Sequence, residues 1–239
     1  MPPHALSVEA PLPITEIAWA LDRDGFALWR AAVSTCTVNA LTGLTDGVAQ
    51  GRAGHRCLLG FRWCNELATR LAKALIDSRL LTPNSLPVQC TYFDKTLNQN
   101  WLVSAHQDLS LPLSQPVAGG MWRAWSHKEG QHFAQPPQSV LERCLALRLH
   151  LDPCADGDGA LRIAPGSHKQ GILITPTPHA REFETCPAQA GDALLMRPLA
   201  LHASSKRTTA GRRRVLHFVF GPTELPGGAQ WPDWIPTTP

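Results

Sequence analysis

The residues best suited to chemistry lie in the segment NQNWLVSAHQDLSLPL, residues 98–113, where His106 and Asp108 are two apart in an apolar, strand-like run. Side chains two apart on a strand point to the same face, so the imidazole and the carboxylate would project together. Pointed inward, they need hydrogen bonds, an ion pair or a metal. Two histidines and one carboxylate on one side of a metal form the facial triad of non-haem Fe(II) oxygenases. The pair therefore indicates a metal centre that needs a second histidine.

His202 is the candidate for that second histidine, because it ends the apolar run in LMRPLALHASS. Arg213 follows eleven residues later, at the start of RRVLHFVFG. A site made of Fe(II), one aspartate and one arginine has a net charge of +2, which a dicarboxylate neutralises. A guanidinium grips a carboxylate bidentately, and each charge-assisted bond contributes about 1.5 to 3 kcal/mol. The expected co-substrate is 2-oxoglutarate.

A second His-x-Asp pair, His150 and Asp152 in LRLHLDPC, competes with the first. It also stands on a strand-like run ahead of His202, so spacing alone does not choose between the two pairs. Asp152 precedes the Gly/Asp-rich stretch CADGDG, which favours a turn-starting carboxylate over a ligand. The residues favour His106 and Asp108 but leave the second pair open.

The elements that must position these residues change in character near residue 88. Residues 14–87 contain runs with helical spacing of apolar residues, whereas residues 88–222 alternate short apolar runs with Pro, Gly, Asp and Asn. We expect one domain over residues 1–239, mostly β with flanking helices, and a sheet sandwich or barrel as its core. The strand-like runs are VQCTYFD, WLVSAHQDLSL, CLALRLHLD, ALRIAPG, DALLMRP and VLHFVFG.

Composition narrows the classes of partner. Hydrophobic residues make up 44% and charged residues 17%, which is ordinary for a globular domain. The absence of an 18-residue apolar run, and of signal-peptide features in the first 16 residues, predicts a cytoplasmic protein with no membrane partner. Seven scattered cysteines without a Cys-x-x-Cys pair predict reduced thiols. A net charge of +3 and one short basic stretch, KRTTAGRRR, predict no nucleic-acid partner.

Three ordered blocks resemble the phytanoyl-CoA dioxygenase family of Fe(II)/2-oxoglutarate oxygenases, from about Leu21 to Trp231. The resemblance implies a double-stranded β-helix, the jelly-roll core also found in cupin-like proteins. It implies His106, Asp108 and His202 as iron ligands, with 2-oxoglutarate and O₂ as co-substrates. The blocks are FDKTLNQNWLVSAHQD, LRLHLDPCADGDGALRIAPGSHKQG, and GDALLMRPLALHASS with RRRVLHFVFG.

By the same resemblance, Arg213 is the partner of the distal carboxylate of 2-oxoglutarate, and Ser204, in the family's H-x-S pattern, adds a hydrogen bond to it. Asn100 and Lys95 match positions near the co-substrate. The three consecutive arginines at 212–214 leave the register open, because the outer two share one strand face and Arg213 has the other.

The resemblance also bears on the reaction and the pocket. Halogenases of this superfamily replace the carboxylate ligand by a small residue, so Asp108 favours hydroxylation of a small-molecule substrate, with release of succinate and CO₂. Aromatic side chains with polar tips suit such a ligand, and we expect pocket residues at Trp101 and in the long segment 114–139. The candidates in that segment are Trp122, Trp125, His127 and His132.

Two alternatives stay open from the sequence. A cupin-like metalloprotein would use the same His/Asp/His site without 2-oxoglutarate, although Arg213 and Ser204 argue against it. A metal-free binding domain on the same scaffold would leave the three ligand-type residues without a role.

Overall fold

The computed structural model describes residues 6–11, 13–49, 53–174 and 182–234. It contains helices α1 (Ile14–Arg23), α2 (Thr35–Ala49), α3 (Arg62–Asp77) and α4 (Gln138–Leu141). The strands are β1 (Phe26–Trp29), β2 (Gly54–His55), β3 (Ser85–Thr96), β4 (Val103–His106), β5 (Leu111–Leu113), β6 (Arg123–Lys128), β7 (Gln131–Gln135), β8 (Leu145–His150), β9 (Leu161–Ile163), β10 (Glu184–Cys186), β11 (Ala193–Met196), β12 (His202–Ser204) and β13 (Arg212–Pro222).

Two antiparallel sheets form the core. The larger has the strand order β1-β11-β8-β13-β3-β2 and the smaller the order β10-β9-β12-β4. This arrangement is a double-stranded β-helix, so the prediction of a mostly β, jelly-roll fold is confirmed. Residues 14–87, in which the spacing of apolar residues predicted helices, also contain β1 and β2. These two strands lie at the two edges of the larger sheet.

The inner strand β13 explains why the sequence can serve both a core and a site. Alternate side chains of a strand point to opposite faces. One face carries apolar residues that are fully buried in the main core, namely Leu216, Phe218 and Phe220. The other face carries residues that border a cavity between the sheets, namely Arg213, His217 and Val219.

Helix α3 covers the outer side of this arrangement. Leu67, Leu71 and Leu75 recur at four-residue spacing, so they lie on one face of the helix. All three are fully buried in the same core as Phe218. The helix packs along β3, the neighbour of β13. Burial of this apolar face fastens the helix to the larger sheet.

The segment 114–139, which the sequence indicated as a loop too long for a hairpin, folds differently from that prediction. Strands β6 and β7 pair as a hairpin, and β5 completes a three-stranded sheet. The two-residue turn at Glu129 and Gly130 has positive φ at both positions, 51° and 79°, as a type I′ turn requires. The Glu129 carboxylate accepts bonds from His55 Nδ1 at 2.7 Å and from the Arg56 backbone N–H at 2.8 Å. The hairpin is thereby tied to the end of β2.

No helix in the described part of the chain is long and apolar enough to cross a membrane.

Truncation of Phe218 tests the importance of the apolar face of β13. We expect Phe218→Ala to lower the free energy of unfolding by about 3 to 5 kcal/mol, because it leaves a cavity in a fully buried position. Leu102→Ala is the control, since Leu102 is 60% exposed and its truncation should change stability by less than about 0.5 kcal/mol. Urea denaturation followed by circular dichroism measures both. Equal losses in the two variants would contradict the assignment of this face to the core.

Candidate metal centre

Strand pairing brings the three predicted ligand residues together. His106 is the last residue of β4 and His202 the first of β12, and the antiparallel register places them opposite each other. The backbone N–H of Asp108, two residues beyond the end of β4, donates to the Pro198 carbonyl at 2.9 Å, which fixes the chain where it leaves the sheet. One ligand atom from each of the three side chains lies within 4.8 Å of the others. This group could hold a metal ion.

Backbone carbonyls set the orientation of both imidazoles. His106 Nδ1 lies 2.9 Å from the Ser104 carbonyl, and His202 Nδ1 lies 2.9 Å from the Ala200 carbonyl. Because a carbonyl only accepts, each Nδ1 carries the proton and donates it. In the neutral imidazole Nε2 then carries no proton, and in both residues it faces Asp108, at 3.7 Å from one of its oxygens. A hydrogen bond from the other ring nitrogen to a backbone carbonyl is typical of metal-binding histidines.

The electrostatics of the group suit a divalent cation. Burial acts to raise the pKa of the Asp108 carboxyl, but His202, His217 and His106 more than offset it and hold that pKa well below its usual range. Burial lowers the pKa of His202 to about 4, so this imidazole is neutral at pH 7. Oδ2 of Asp108 is buried and accepts no well-formed hydrogen bond. An ionised carboxylate beside two imidazoles is the donor set that fits Fe(II).

The competing pair does not form a site. Asp152 accepts three bonds from Arg214: from its backbone N–H at 2.8 Å, Nε at 2.9 Å and Nη2 at 2.6 Å. His150 is buried, and neither ring nitrogen has a hydrogen-bond partner in the part of the chain that the structure describes. Burial, with Arg148 and Arg213 nearby, lowers the pKa of His150 to about 3. Asp152 therefore belongs to an ion pair and His150 to the barrel interior.

A cavity of about 210 Å³ lies between the two sheets beside the His/Asp/His group. Ser204 and Arg213, both predicted to bind a co-substrate, border it, and so does Trp101. Arg213 is 3% exposed, its Nη1 donates to the Gly159 carbonyl, and its Nε has no hydrogen-bond partner. Burial lowers its pKa from the usual value. The cavity thus contains a buried guanidinium with unused bonding capacity.

The register of the three arginines is resolved by their partners. Arg213 pairs in register with Lys95 of β3 and points into the cavity. Arg212 grips the Asp94 carboxylate through Nε and Nη2, at 2.9 and 2.6 Å. Arg214 grips Asp152 on the same outer face. Two arginines therefore hold the outside of β13, and the one between them faces inward.

Lys95 and Asn100 have different surroundings. Nζ of Lys95, which is fully buried, donates to Ser204 Oγ at 3.1 Å and to the Ser205 carbonyl at 2.9 Å. Burial, followed by repulsion from Arg213 and Arg148, lowers its pKa to about 8. The Asn100 amide instead exchanges two 2.8 Å hydrogen bonds with the backbone of Arg207 and does not border the cavity. Asn100 therefore holds the backbone at Arg207 in place.

Comparison of sequences assigns the chain to a family. The profile of the family described as phytanoyl-CoA dioxygenase (PhyH) matches residues 21–215. The chain belongs to the phytanoyl-CoA dioxygenase family. The match contains all three residues of the His/Asp/His group and Arg213, so the resemblance found from the sequence blocks is confirmed. No curated protein sequence matches the chain at a significant level.

Solved structures with the same fold include the following three proteins. HygX from Streptomyces hygroscopicus, with nickel and 2-oxoglutarate bound, is 17% identical with a TM-score of 0.60, and the match covers 87% of each chain. The alpha-ketoglutarate-dependent epimerase SnoN from nogalamycin biosynthesis is 16% identical with a TM-score of 0.66, covering 95% of this chain and 87% of its own. The carbocyclase SnoK from the same biosynthesis is 14% identical with a TM-score of 0.61, covering 94% and 90%. At these identities the likeness establishes the shared fold.

Of the predicted pocket residues in this phytanoyl-CoA dioxygenase relative, Trp101 alone borders the described cavity. Trp122 is buried in a separate small cluster, where its Nε1 donates to the Pro226 carbonyl at 3.1 Å. Trp125 donates to the Trp122 carbonyl at 3.2 Å. His127 packs edge-on against His132 across the hairpin, with ring centroids 5.0 Å apart. None of these four side chains borders the described cavity.

The structure adds two charged or titratable residues to those predicted for the site of this family member. Arg148 of β8 and His217 of β13 both border the cavity and are buried. Arg148 could have been found from the sequence, because it lies inside the apolar run LALRLHL and a charged residue rarely occupies a fully buried strand without a partner. His217 shares the inward face of Arg213, but sequence alone does not distinguish it from an ordinary core histidine.

Opposite effects on stability are expected for Arg213 and Arg214. Arg213→Met should raise the free energy of unfolding of the ligand-free protein by about 1 kcal/mol, because it removes a buried, incompletely bonded charge beside Lys95. Arg214→Met should lower it by about 1 to 3 kcal/mol, because Asp152 loses its partner. Thermal and urea unfolding of the two variants provide the comparison. Losses of equal size would mean that Arg213 is a structural cation.

Proposed function

We propose that the protein is an Fe(II)- and 2-oxoglutarate-dependent oxygenase in which His106, Asp108 and His202 hold the metal and Arg213 holds the distal carboxylate of the co-substrate. The observation that carries the proposal is the placement of buried, incompletely satisfied cations beside the His/Asp/His group. Membership of the phytanoyl-CoA dioxygenase family and the nickel and 2-oxoglutarate in the HygX structure support it.

The charges of the cavity favour a dianion. Arg148 and Arg213 border it, and the buried Lys95 bonds to Ser204, which also borders it. None of these three cations forms an ion pair with a carboxylate in the described ranges of the chain. Asp108 is the carboxylate at the cavity wall. Buried charges that lack partners are costly, so an anionic ligand that pairs with them would be bound strongly.

The spacing along β13 suits a five-carbon dicarboxylate. Nε2 of His217 lies 3.4 Å from Asp108, so His217 marks the level of the metal. Arg213 precedes it by four residues, which corresponds to about 13 Å along a strand. The long side chain of Arg213, which borders the same cavity, can span part of this distance. A molecule that chelates the metal at one end could then pair with Arg213 at the other. Ser204 and Lys95, joined at 3.1 Å, lie beside that path.

The reaction we propose is hydroxylation of a small organic molecule. Bound Fe(II), 2-oxoglutarate and O₂ together supply the oxidation: one oxygen atom enters succinate as CO₂ is lost, and the other converts a C–H bond of the substrate to C–OH. Three side-chain ligands leave three metal positions for co-substrates. SnoN and SnoK, named as an epimerase and a carbocyclase, have this fold too, so the outcome depends on how the pocket orients the substrate.

The cupin-like alternative, a metal centre without 2-oxoglutarate, would leave Arg213 and Lys95 buried without an anionic partner. A small-molecule substrate is the proposed partner, by analogy with the HygX structure that contains hygromycin B. The proposed fit to a small molecule rests on the cavity size of about 210 Å³.

The deciding measurement is anaerobic visible absorption during titration with Fe(II) and then 2-oxoglutarate. We expect a metal-to-ligand charge-transfer band in the wild type, no band in His106→Ala, and an unchanged band in the control His150→Ala. Arg213→Met should need about ten- to hundredfold more 2-oxoglutarate, because it loses charge-assisted hydrogen bonds. Iron binding without a band in the wild type would support the cupin-like alternative instead.

The pH dependence of 2-oxoglutarate binding should report Lys95. Because the pKa of Lys95 is lowered to about 8, this side chain is charged at pH 7 and loses its charge as the pH rises through 8. We expect the Kd for 2-oxoglutarate, measured from the same band, to rise by about three- to tenfold from pH 7 to pH 9. Lys95→Met should bind more weakly at pH 7 and show a flat profile. The same slope in this variant would assign the pH dependence to another group.

A further inference from the structure

Three cavity residues form a continuous chain of polar contacts that ends at the proposed metal ligand. Nη1 of Arg148 lies 3.3 Å from Nδ1 of His217. Nε2 of the same imidazole lies 3.4 Å from Oδ2 of Asp108. Arg148 is 7% exposed and His217 4%, so bulk water does not compete for these contacts. The register of β8 with β13 places Arg148 directly opposite His217.

The chemistry of the three groups fixes where the protons lie. A guanidinium only donates hydrogen bonds, so Nδ1 of His217 must accept from Arg148. An imidazole whose Nδ1 accepts carries its proton on Nε2. That Nε2–H faces Oδ2 of Asp108 at 3.4 Å, and this buried oxygen has no shorter hydrogen bond in the described part of the chain. Arg148 therefore selects the tautomer of His217 that donates to the carboxylate.

We infer that His217 is a positioning residue of the metal centre: it occupies one oxygen of Asp108, and Arg148 holds it in the donating tautomer. This inference rests on the proposed function, because it takes Asp108 as a metal ligand. A carboxylate with one oxygen engaged by an N–H offers the other oxygen to the metal, as a monodentate ligand. Monodentate coordination keeps open the metal positions that a chelating co-substrate and O₂ need.

His150 provides a matched comparison within the same barrel. It is as buried as His217, it lies two residues from Arg148 on β8, and it pairs in register with Val215 of β13. Its ring nitrogens have no hydrogen-bond partner among the described residues, and it does not border the cavity. Replacement of His150 therefore serves as a control: it measures how the loss of a buried barrel histidine affects metal binding when Asp108 keeps its contacts.

The experiment measures the anaerobic Fe(II) dissociation constant and the visible spectrum of the Co(II)-substituted protein, neither of which requires turnover. We expect His217→Met to weaken Fe(II) binding about ten- to hundredfold, as loss of a hydrogen bond to a metal ligand does elsewhere. The Co(II) spectrum of this variant should shift, because the coordination of Asp108 changes. His150→Met should bind Fe(II) within about twofold of the wild type.

Two amide variants separate positioning from packing. Gln at 217 carries its amide nitrogen near the place of Nε2, whereas Asn reaches only the place of Nδ1. His217→Gln should restore Fe(II) affinity to within about threefold of the wild type, and His217→Asn should behave like His217→Met. Because both substitutions are polar and smaller than histidine, they keep the test usable if His217→Met does not fold.

Arg148 is tested by a double-mutant cycle. Arg148→Gln should weaken Fe(II) binding about fivefold in the wild type and have no further effect in the His217→Gln background, because Arg148 acts through the tautomer of His217. Fe(II) binding in His217→Met equal to that in His150→Met, or independent effects of the two residues, would overturn the inference. Iron binding without the 2-oxoglutarate band in the wild type would overturn the proposed function alone, since the Fe(II) affinities still test the role of His217.

Discussion

The antiparallel pairing of β4 with β12 is the contact on which the site depends. It places His106 opposite His202, two residues that are 96 positions apart in the sequence. A slip of one residue in either strand would turn one imidazole to the other face of the sheet and separate the pair. The smaller sheet thereby carries the two histidines that we propose as metal ligands, and the larger sheet carries the cations that face them. The cavity exists because these two sets of side chains line opposite walls.

The larger sheet reconciles two opposed requirements. One face of β13 buries large apolar side chains, which stabilises the fold. The other face buries charges that lack counter-ions, which destabilises it. The outer ion pairs of Arg212 and Arg214 with Asp94 and Asp152 lie on either side of Arg213 along the strand. These ion pairs stabilise β13 at the point where the buried charge of Arg213 destabilises it. The cationic cavity wall therefore depends on the stability that the opposite face of the strand provides.

Much of this arrangement was accessible from the sequence. The change from helical spacing to short strand runs, and the His-x-Asp spacing beside His202, depend on local patterns that physical rules describe directly. The family resemblance pointed to Arg213, but the residues alone left the register of the three arginines open, because it depends on the partners Asp94 of β3 and Asp152 beyond the end of β8. The hairpin in segment 114–139 was missed because its turn requires positive φ at Glu129, a residue type that does not predict it. His217 and Arg148 acquire meaning only through tertiary contacts.

The tie between the β6–β7 turn and the end of β2 has a consequence for how this scaffold diversifies. Arg56 borders the cavity, and its Nη1 also lies 3.1 Å from the Glu129 carboxylate at the tip of the hairpin. One wall of the cavity is thus assembled from two segments more than 70 residues apart. Transplanting the hairpin from a relative, or shortening it, would release this arginine and alter the rim of the cavity while leaving the barrel strands intact. Residues 55, 56 and 129 should therefore be exchanged together as one unit in any redesign of the pocket entrance.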